Sequence, residues 1–158
     1  MIEGARRALA AAALVAAVAC TAVTTRPRFG PKLGALVDTL TANPGEVIKT
    51  LATTLAERGF TMHKVSAAEG YVETAWFDPV TKRSVGQEHL HTRRVVRVRA
   101  FADSIPPHRC QLAVETVYRR IADPSQPGRE EEILVAPGSR PDSLTQAILA
   151  DLRQRFGK

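Results

Sequence analysis

His89 and His91 follow Glu88, and their spacing suggests chemistry because side chains two residues apart on a strand share a face. A catalytic zinc centre takes three protein ligands and a supporting shell of hydrogen bonds. His63 and His108 are the remaining imidazoles, and nothing in their spacing brings either to this pair. A polar hairpin tip accounts for the same residues, so no metal ligand and no cofactor is assigned. Glu73, Asp78, Asp103 and Glu115 include the carboxylates that acid–base catalysis would need, yet strands carry such residues on solvent faces routinely. No phosphate-binding glycine loop, nucleophile elbow or zinc-protease helix occurs. The expectation is a protein that is not an enzyme.

The arginines say more. Arg93, Arg94, Arg97 and Arg99 crowd one strand-like segment, and Arg109, Arg119 and Arg120 lie on or beside its expected partner. Arg97, Arg99 and Arg119 would share the outer face of a sheet with Glu115, which would pair with one of them. Such a face is either simply solvated or a docking surface. An acidic partner or lipid phosphates would suit it, because guanidinium groups make bidentate contacts to both.

The N-terminus has a different character. Arg6 and Arg7 precede a run without polar side chains over residues 8–19, and Ala19 precedes Cys20. A basic start, an apolar stretch of about 7–15 residues and a small-residue cleavage site make up a secretory signal. Twelve helical residues reach about 18 Å, short of a hydrocarbon core roughly 30 Å thick. A retained transmembrane helix is therefore disfavoured. Plain cleavage after Ala19 is one reading. The other rests on Ala17-Val18-Ala19-Cys20, which resembles the lipobox of bacterial lipoproteins, with Ala17 where Leu is usual. That resemblance implies a lipidated Cys20 as the mature N-terminus, and two or more acyl chains hold a protein stably on a bilayer. Thr21, rather than Asp, after the cysteine resembles a signal for sorting to the outer membrane.

Cys110 then has no disulfide partner and reads as a small buried hydrophobe. Without residues 1–19, Lys plus Arg falls from 22 to 20 and Asp plus Glu from 16 to 15, so the net charge of +6 becomes +5. Outside the cytoplasm such a balance favours anionic lipid or acidic protein surfaces as partners over nucleic acid.

These groups must be positioned by one domain, since the chain has 158 residues with 44% hydrophobic and 24% charged content. The expected organisation is a signal peptide over 1–19, a lipidated Cys20 with a flexible tether over 20–32, and a single domain over 33–158. Residues 33–40 suit a helix face or a short strand, and a strand is favoured because a helix start follows at once. Asn43-Pro44-Gly45-Glu46 reads as a capping box, followed by the stripe Val47, Ile48, Leu51 and Leu55 and by Gly59, so a helix is expected over 44–58. Residues 60–66 and 71–78 read as a hairpin, with Trp76 in the core and Tyr71 and Phe77 on the opposite side. A loop or loose hairpin tip covers 80–92. Strands are expected over 93–103, with Val96, Val98, Ala100 and Ala102 on one face, and over 110–121, with Leu112, Val114 and Tyr118 inward. These two should pair antiparallel. A short edge strand over 133–135 and a helix over 141–156 with Leu144, Ile148, Leu152 and Phe156 on its stripe complete the order. The fold class is α+β: a two-layer sandwich of an antiparallel sheet of four to five strands packed with two helices.

Gly70-Tyr71-Val72-Glu73-Thr74-Ala75-Trp76 resembles a turn-and-strand pattern of envelope lipoproteins of the BamC kind. The resemblance implies a helix-grip domain behind a lipidated arm, working by binding partners in outer-membrane protein assembly rather than by catalysis. This chain holds one domain where that family holds two. The functional expectation is thus a lipid-anchored, non-enzymatic interaction or scaffold module at the outer membrane, facing the periplasm. Its partners would be the membrane through the anchor, and envelope proteins or anionic lipid, with no nucleic acid. Two other classes are a binder of a small amphiphile or lipid in a sheet–helix groove, and a metal-assisted hydrolase around His89 and His91.

Overall fold

A computed structural model describes residues 24–86, 94–121, 123, 125–126 and 130–157. Cys20, His89 and His91 lie outside these residues. The elements are β1 (Leu36–Leu40), α1 (Pro44–Glu57), β2 (Met62–Ser66), β3 (Tyr71–Thr74), β4 (Phe77–Asp78), β5 (Arg83–Ser84), β6 (Val96–Ile105), β7 (Arg109–Ile121), β8 (Glu130–Leu134) and α2 (Arg140–Phe156). They form a mixed α+β fold in which two helices pack on one face of an antiparallel sheet. The main strand order is β1-β7-β6-β3-β2. The short β4 continues the β3 side along β6 and carries β5, while β8 extends the β1 side along β7. Among the described residues these additions take the sheet to eight strands where four to five were expected.

The hairpin of β6 and β7 is the spine. Its alternation is the one that the sequence implies: Val98, Ala100 and Ala102 of β6 and Leu112 and Val114 of β7 face the helices. Against them α1 sets Val47, Ile48, Leu51 and Leu55, and α2 sets Ile148, Leu149 and Leu152, all buried. Each such aliphatic side chain contributes about 1.5–3 kcal/mol on leaving water. Leu144 and Phe156 close the two ends of the α2 stripe, partly buried against the same core. Of residues 33–40, Leu36–Leu40 form a strand after a turn at 33–34, and Leu36 and Leu40 turn inward while Leu33 and Val37 are exposed. A helical face would have buried all four.

The helix starts differ in detail from expectation. Asn43 takes the N-cap position of α1 without a side-chain bond, and its carbonyl accepts the Glu46 and Val47 amides instead of forming a capping box. At α2 the N-cap Ser139 likewise makes no side-chain bond, and Asp142 in the first turn accepts the Gly138 amide at 2.8 Å and the Gln146 side chain at 2.8 Å. A carboxylate in the first turn also suits the positive end of the helix dipole.

Side-chain alternation breaks within β2, between Met62 and Lys64, and again between β3 and β4, where the break corrects the placement of the aromatic residues. Ala75 and Trp76 lie between the end of β3 and the start of β4, so the face assignment shifts by one there. Tyr71 and Trp76 consequently both lie on the outer face, away from the helices. Phe77, expected opposite the core, is instead a core residue stacked on Phe60 at 4.1 Å. The edge strand expected over 133–135 is β8, which starts earlier and takes in the acidic residues 130–132.

Gly70 closes the β2–β3 turn with φ +63°, and a β-carbon there would stand 2.0 Å from the Ala102 carbonyl oxygen. That carbonyl belongs to rigid sheet backbone, and the Gly70 carbonyl itself accepts the Ala102 amide at 2.8 Å. Gly70→Ala should therefore lower unfolding stability by about 2 kcal/mol or more. Urea denaturation would show a reduced midpoint at unchanged slope; an unchanged midpoint would contradict this account of the turn.

Candidate functional site

The outer sheet face carries a row of charges dictated by strand register. Glu73 of β3 sits opposite Arg99 of β6, and Arg99 sits opposite Glu115 of β7, so acid, base and acid line up across three neighbouring strands. Arg99 Nε donates to Glu73 Oε2 at 2.9 Å, Nη1 to Glu115 Oε1 at 3.1 Å and Nη2 to Glu132 Oε2 at 2.5 Å. The face is closed rather than solvated: Arg99 is 4% exposed, Arg97 9% and Glu115 1%. Burying a charge is costly unless it is paired and hydrogen-bonded, and Arg99 meets both conditions.

Arg97 is less completely served. Its Nη1 lies 3.5 Å from Glu73 and 3.6 Å from Glu132, while its buried Nε has no hydrogen-bond acceptor among the described residues. Its guanidinium lies 4.4 Å from the centre of the Trp76 ring, and Arg119 lies 5.0 Å from that same centre. Two cations thus share one indole π-system. The Trp76 ring nitrogen is likewise buried with no acceptor. The three arginines singled out from sequence are therefore brought together, Arg97 and Arg99 by the carboxylates and Arg97 and Arg119 by Trp76.

Burial works against ionisation of Glu73, but the Tyr71 hydroxyl bond at 2.6 Å, the Arg99 bond and the two guanidinium charges outweigh it. The carboxyl is held below its ordinary value of 4.5. Burial and the bond to Glu73 push the Tyr71 phenol well above its usual range, so it remains a donor. Burial lowers the proton affinity of Arg97, opposed by Glu73, whereas the carboxylates around Arg99 more than offset its burial and raise that of Arg99. Asp78, another acid noted in the sequence, is also held low: burial is outweighed by Arg94 and by the Val80 and Thr81 amides. Arg26 binds Asp103 at 2.8 Å. Each acid considered for catalysis thus has a cationic partner in its own chain.

An arm covers this face. The Thr25 and Arg26 amides donate to the Glu69 carboxylate at 2.7 and 2.9 Å, and the Lys32 amide donates to Glu115 at 2.8 Å. Between these anchors Phe29 meets Phe101 edge-on at 6.5 Å and lies 5.4 Å from the Arg99 guanidinium. Residues 24–32 fall in the segment that composition marks as a tether, yet they run along the sheet from the Glu69 turn toward Glu115. The amide bonds hold the Glu69 carboxyl below its ordinary value of 4.5 against a smaller effect of burial.

His63 lies on β2 with Nε2 3.8 Å from Glu73, and His108 sits in the β6–β7 turn. Among the described residues no group of three His, Cys, Asp or Glu could hold a metal ion. Cys110 is buried, and burial, aided by Asp103, pushes its thiol up. At the other end of β6, a cleft of about 500 Å³ opens between the C-terminus of α1, the N-terminus of α2 and the β4–β5 turn.

Register and parity could have revealed Glu73 and Glu115 as partners of Arg99. The parts that sequence reasoning missed are Glu132, which lies ahead of the edge strand expected over 133–135, and the arm, hidden by its low apolar content.

Removing one member of the row should be costly. Arg99→Met leaves three carboxylates crowded without their shared cation, and a loss of about 3–5 kcal/mol is expected by chemical denaturation. Glu73 also makes stability pH-dependent. Its folded pKa lies below the unfolded one, so its contribution is complete above about 4.5 and disappears as pH falls through the folded value. The melting temperature of Glu73→Gln should accordingly fall less between pH 6 and pH 3, about the range of carboxyl titration, than that of the parent. Parallel curves would show that Glu73 is not a source of acid sensitivity. No protein-family model and no curated protein sequence matches this chain.

Proposed function

We propose that this protein is a lipid-anchored, non-enzymatic module of the bacterial cell envelope, held at the outer membrane through Cys20 and acting by binding other envelope components. The single observation that carries the reading is the docking of the arm. Among the described residues Thr25 is the first bonded to the domain, and it lies five residues after the lipobox-like cysteine. Five residues span at most about 18 Å at 3.6 Å each. A lipid on Cys20 would therefore hold the β2–β3 turn and the β6–β7 hairpin end close to the bilayer, rather than at the end of a long leash.

A binding role agrees with the chemistry of the outer face. Glu73, Asp78 and Glu115 are committed to arginines or main-chain amides, which leaves them poor general bases. We further infer a helix-grip-like relation of sheet to helix, which the resemblance to BamC-like domains suggests. No helix among the described residues is long and apolar enough to cross a membrane, so attachment in this reading depends on the cysteine.

Cys20→Ser is the direct test. The parent should sediment with membranes and carry a diacylglycerol by intact mass, and the variant should move to the soluble fraction. An unacylated parent that still begins at Met1 would end the proposal. Detergent-solubilised parent protein should also co-purify with an envelope protein at near-stoichiometric yield, and recovery of the chain alone would count against a scaffold role.

A further inference from the structure

The cleft at the far end of β6 is built unlike the charged face, and nothing in the proposed envelope role uses it. Its floor is apolar: Phe77, held against Phe60 by stacking at 4.1 Å, with Pro79 and Leu144 beside it. Its volume of about 500 Å³ falls within the range of small-molecule sites, roughly 300–1,000 Å³. Its mouth is cationic, with Arg58, Lys82 and Arg140 against one lining carboxylate, Glu57.

Three details distinguish this cleft from a packing gap. Gly59, at φ +91°, leaves the space next to Phe77 open, since a β-carbon would already lie 3.7 Å from that ring. Lys82 adopts φ +54°, a left-handed conformation that a lysine rarely takes, and its amide is tied to the Asp78 carbonyl at 2.8 Å. A strained backbone that sets a cation at a cleft mouth points to use. The Arg58 guanidinium is fixed by Asp151 at 2.5 Å, whereas Lys82 and Arg140 have no carboxylate within ion-pair distance among the described residues.

We infer that this cleft binds a single-chain anionic amphiphile, with its acyl chain over Phe77, Pro79 and Leu144 and its carboxylate or phosphate head between Lys82 and Arg140. An apolar floor with a few convergent polar groups is the usual composition of such sites. The head is the part that selects: an uncharged or cationic amphiphile of equal length would forgo both cations. This site is independent of the lipid on Cys20 and should behave alike with and without it.

A fatty acid bearing a photoreactive diazirine on its chain tests the inference on the full chain, with labelled peptides located by mass spectrometry. Label should concentrate on the peptides that contain residues 77–82 and 140–144, and equally so in Cys20→Ser. The double variant Lys82→Glu, Arg140→Glu exchanges two exposed side chains and should weaken labelling about tenfold while leaving the fold intact. Leu144→Trp, which fills the floor, should suppress labelling as well. An alkylamine probe of the same length should label no better than the double variant does with the fatty acid. Competition by palmitate against competition by a lysophosphatidate would identify the preferred head. Label spread evenly over the chain, or unchanged by charge reversal, would overturn the inference.

Discussion

A guanidinium with almost no access to solvent, at the centre of a sheet face turned away from the helices, is the constraint around which this structure is arranged. Arg99 has to meet carboxylates on several sides, because a buried cation with a missing partner costs several kcal/mol. Glu73 and Glu115 reach it only if β3, β6 and β7 keep the register that sets the three residues in one row. A slip of one residue at either pairing would turn a carboxylate toward the aliphatic core and leave Arg99 short. The ionic row thus ties together two strand pairings that the hydrophobic pattern alone would tie only through the opposite face.

The same demand explains two features that look incidental from the chain. The run Glu130-Glu131-Glu132 is a poor strand former by composition, since acidic residues are depleted from strands. It nonetheless pairs with β7, where Glu132 reaches Arg97 and Arg99 while Glu131 lies near Arg120. The arm is recruited by a related logic. Glu115 retains an acceptor beyond its bond to Arg99, and the Lys32 amide fills it. Phe29 then covers the guanidinium face that carboxylates cannot reach. Neither segment has the apolar periodicity that marks an element, so both are specified by the charges they neutralise.

That division also explains how much was legible in the sequence. Both helices, the β2–β3 hairpin and the β6–β7 spine follow from stripes and alternation. Val98, Ala100, Ala102, Leu112 and Val114 face the helices as expected, whereas Tyr118, also expected inward, is only part-buried and lies outside that core. The outer-face arginines were legible as a group, because parity places Arg97, Arg99 and Glu115 on one side. Their burial was not, since it comes from β8 and from the arm, and both are distant in sequence from β6. The reversal of Trp76 and Phe77 has a local cause: the two residues between β3 and β4 shift the alternation, and no composition signal marks them. The cleft was invisible for a different reason. It is an absence of side chain at Gly59, framed by helix ends whose approach only the packed core decides.

The entry of the arm and the apolar-floored cleft lie at opposite ends of β6, while Arg97 and Trp76 of the charged face sit at the cleft end. Asp103 and Glu69, where the arm enters, sit near the β6–β7 turn, whereas Phe77, on the cleft floor, pairs with Val96 at the other end of the strand. Nine residue-to-residue steps of strand separate Val96 from Ile105, about 30 Å at 3.3 Å each. A chain fastened to a bilayer at the arm end would present the cleft away from that surface, beyond the reach of its own acyl anchor. An amphiphile in the cleft would then come from the aqueous side or from a second surface, and the domain would serve as a spacer between the two. In that arrangement Lys82 and Arg140, which have no carboxylate within ion-pair distance among the described residues, would stand at the end away from the bilayer.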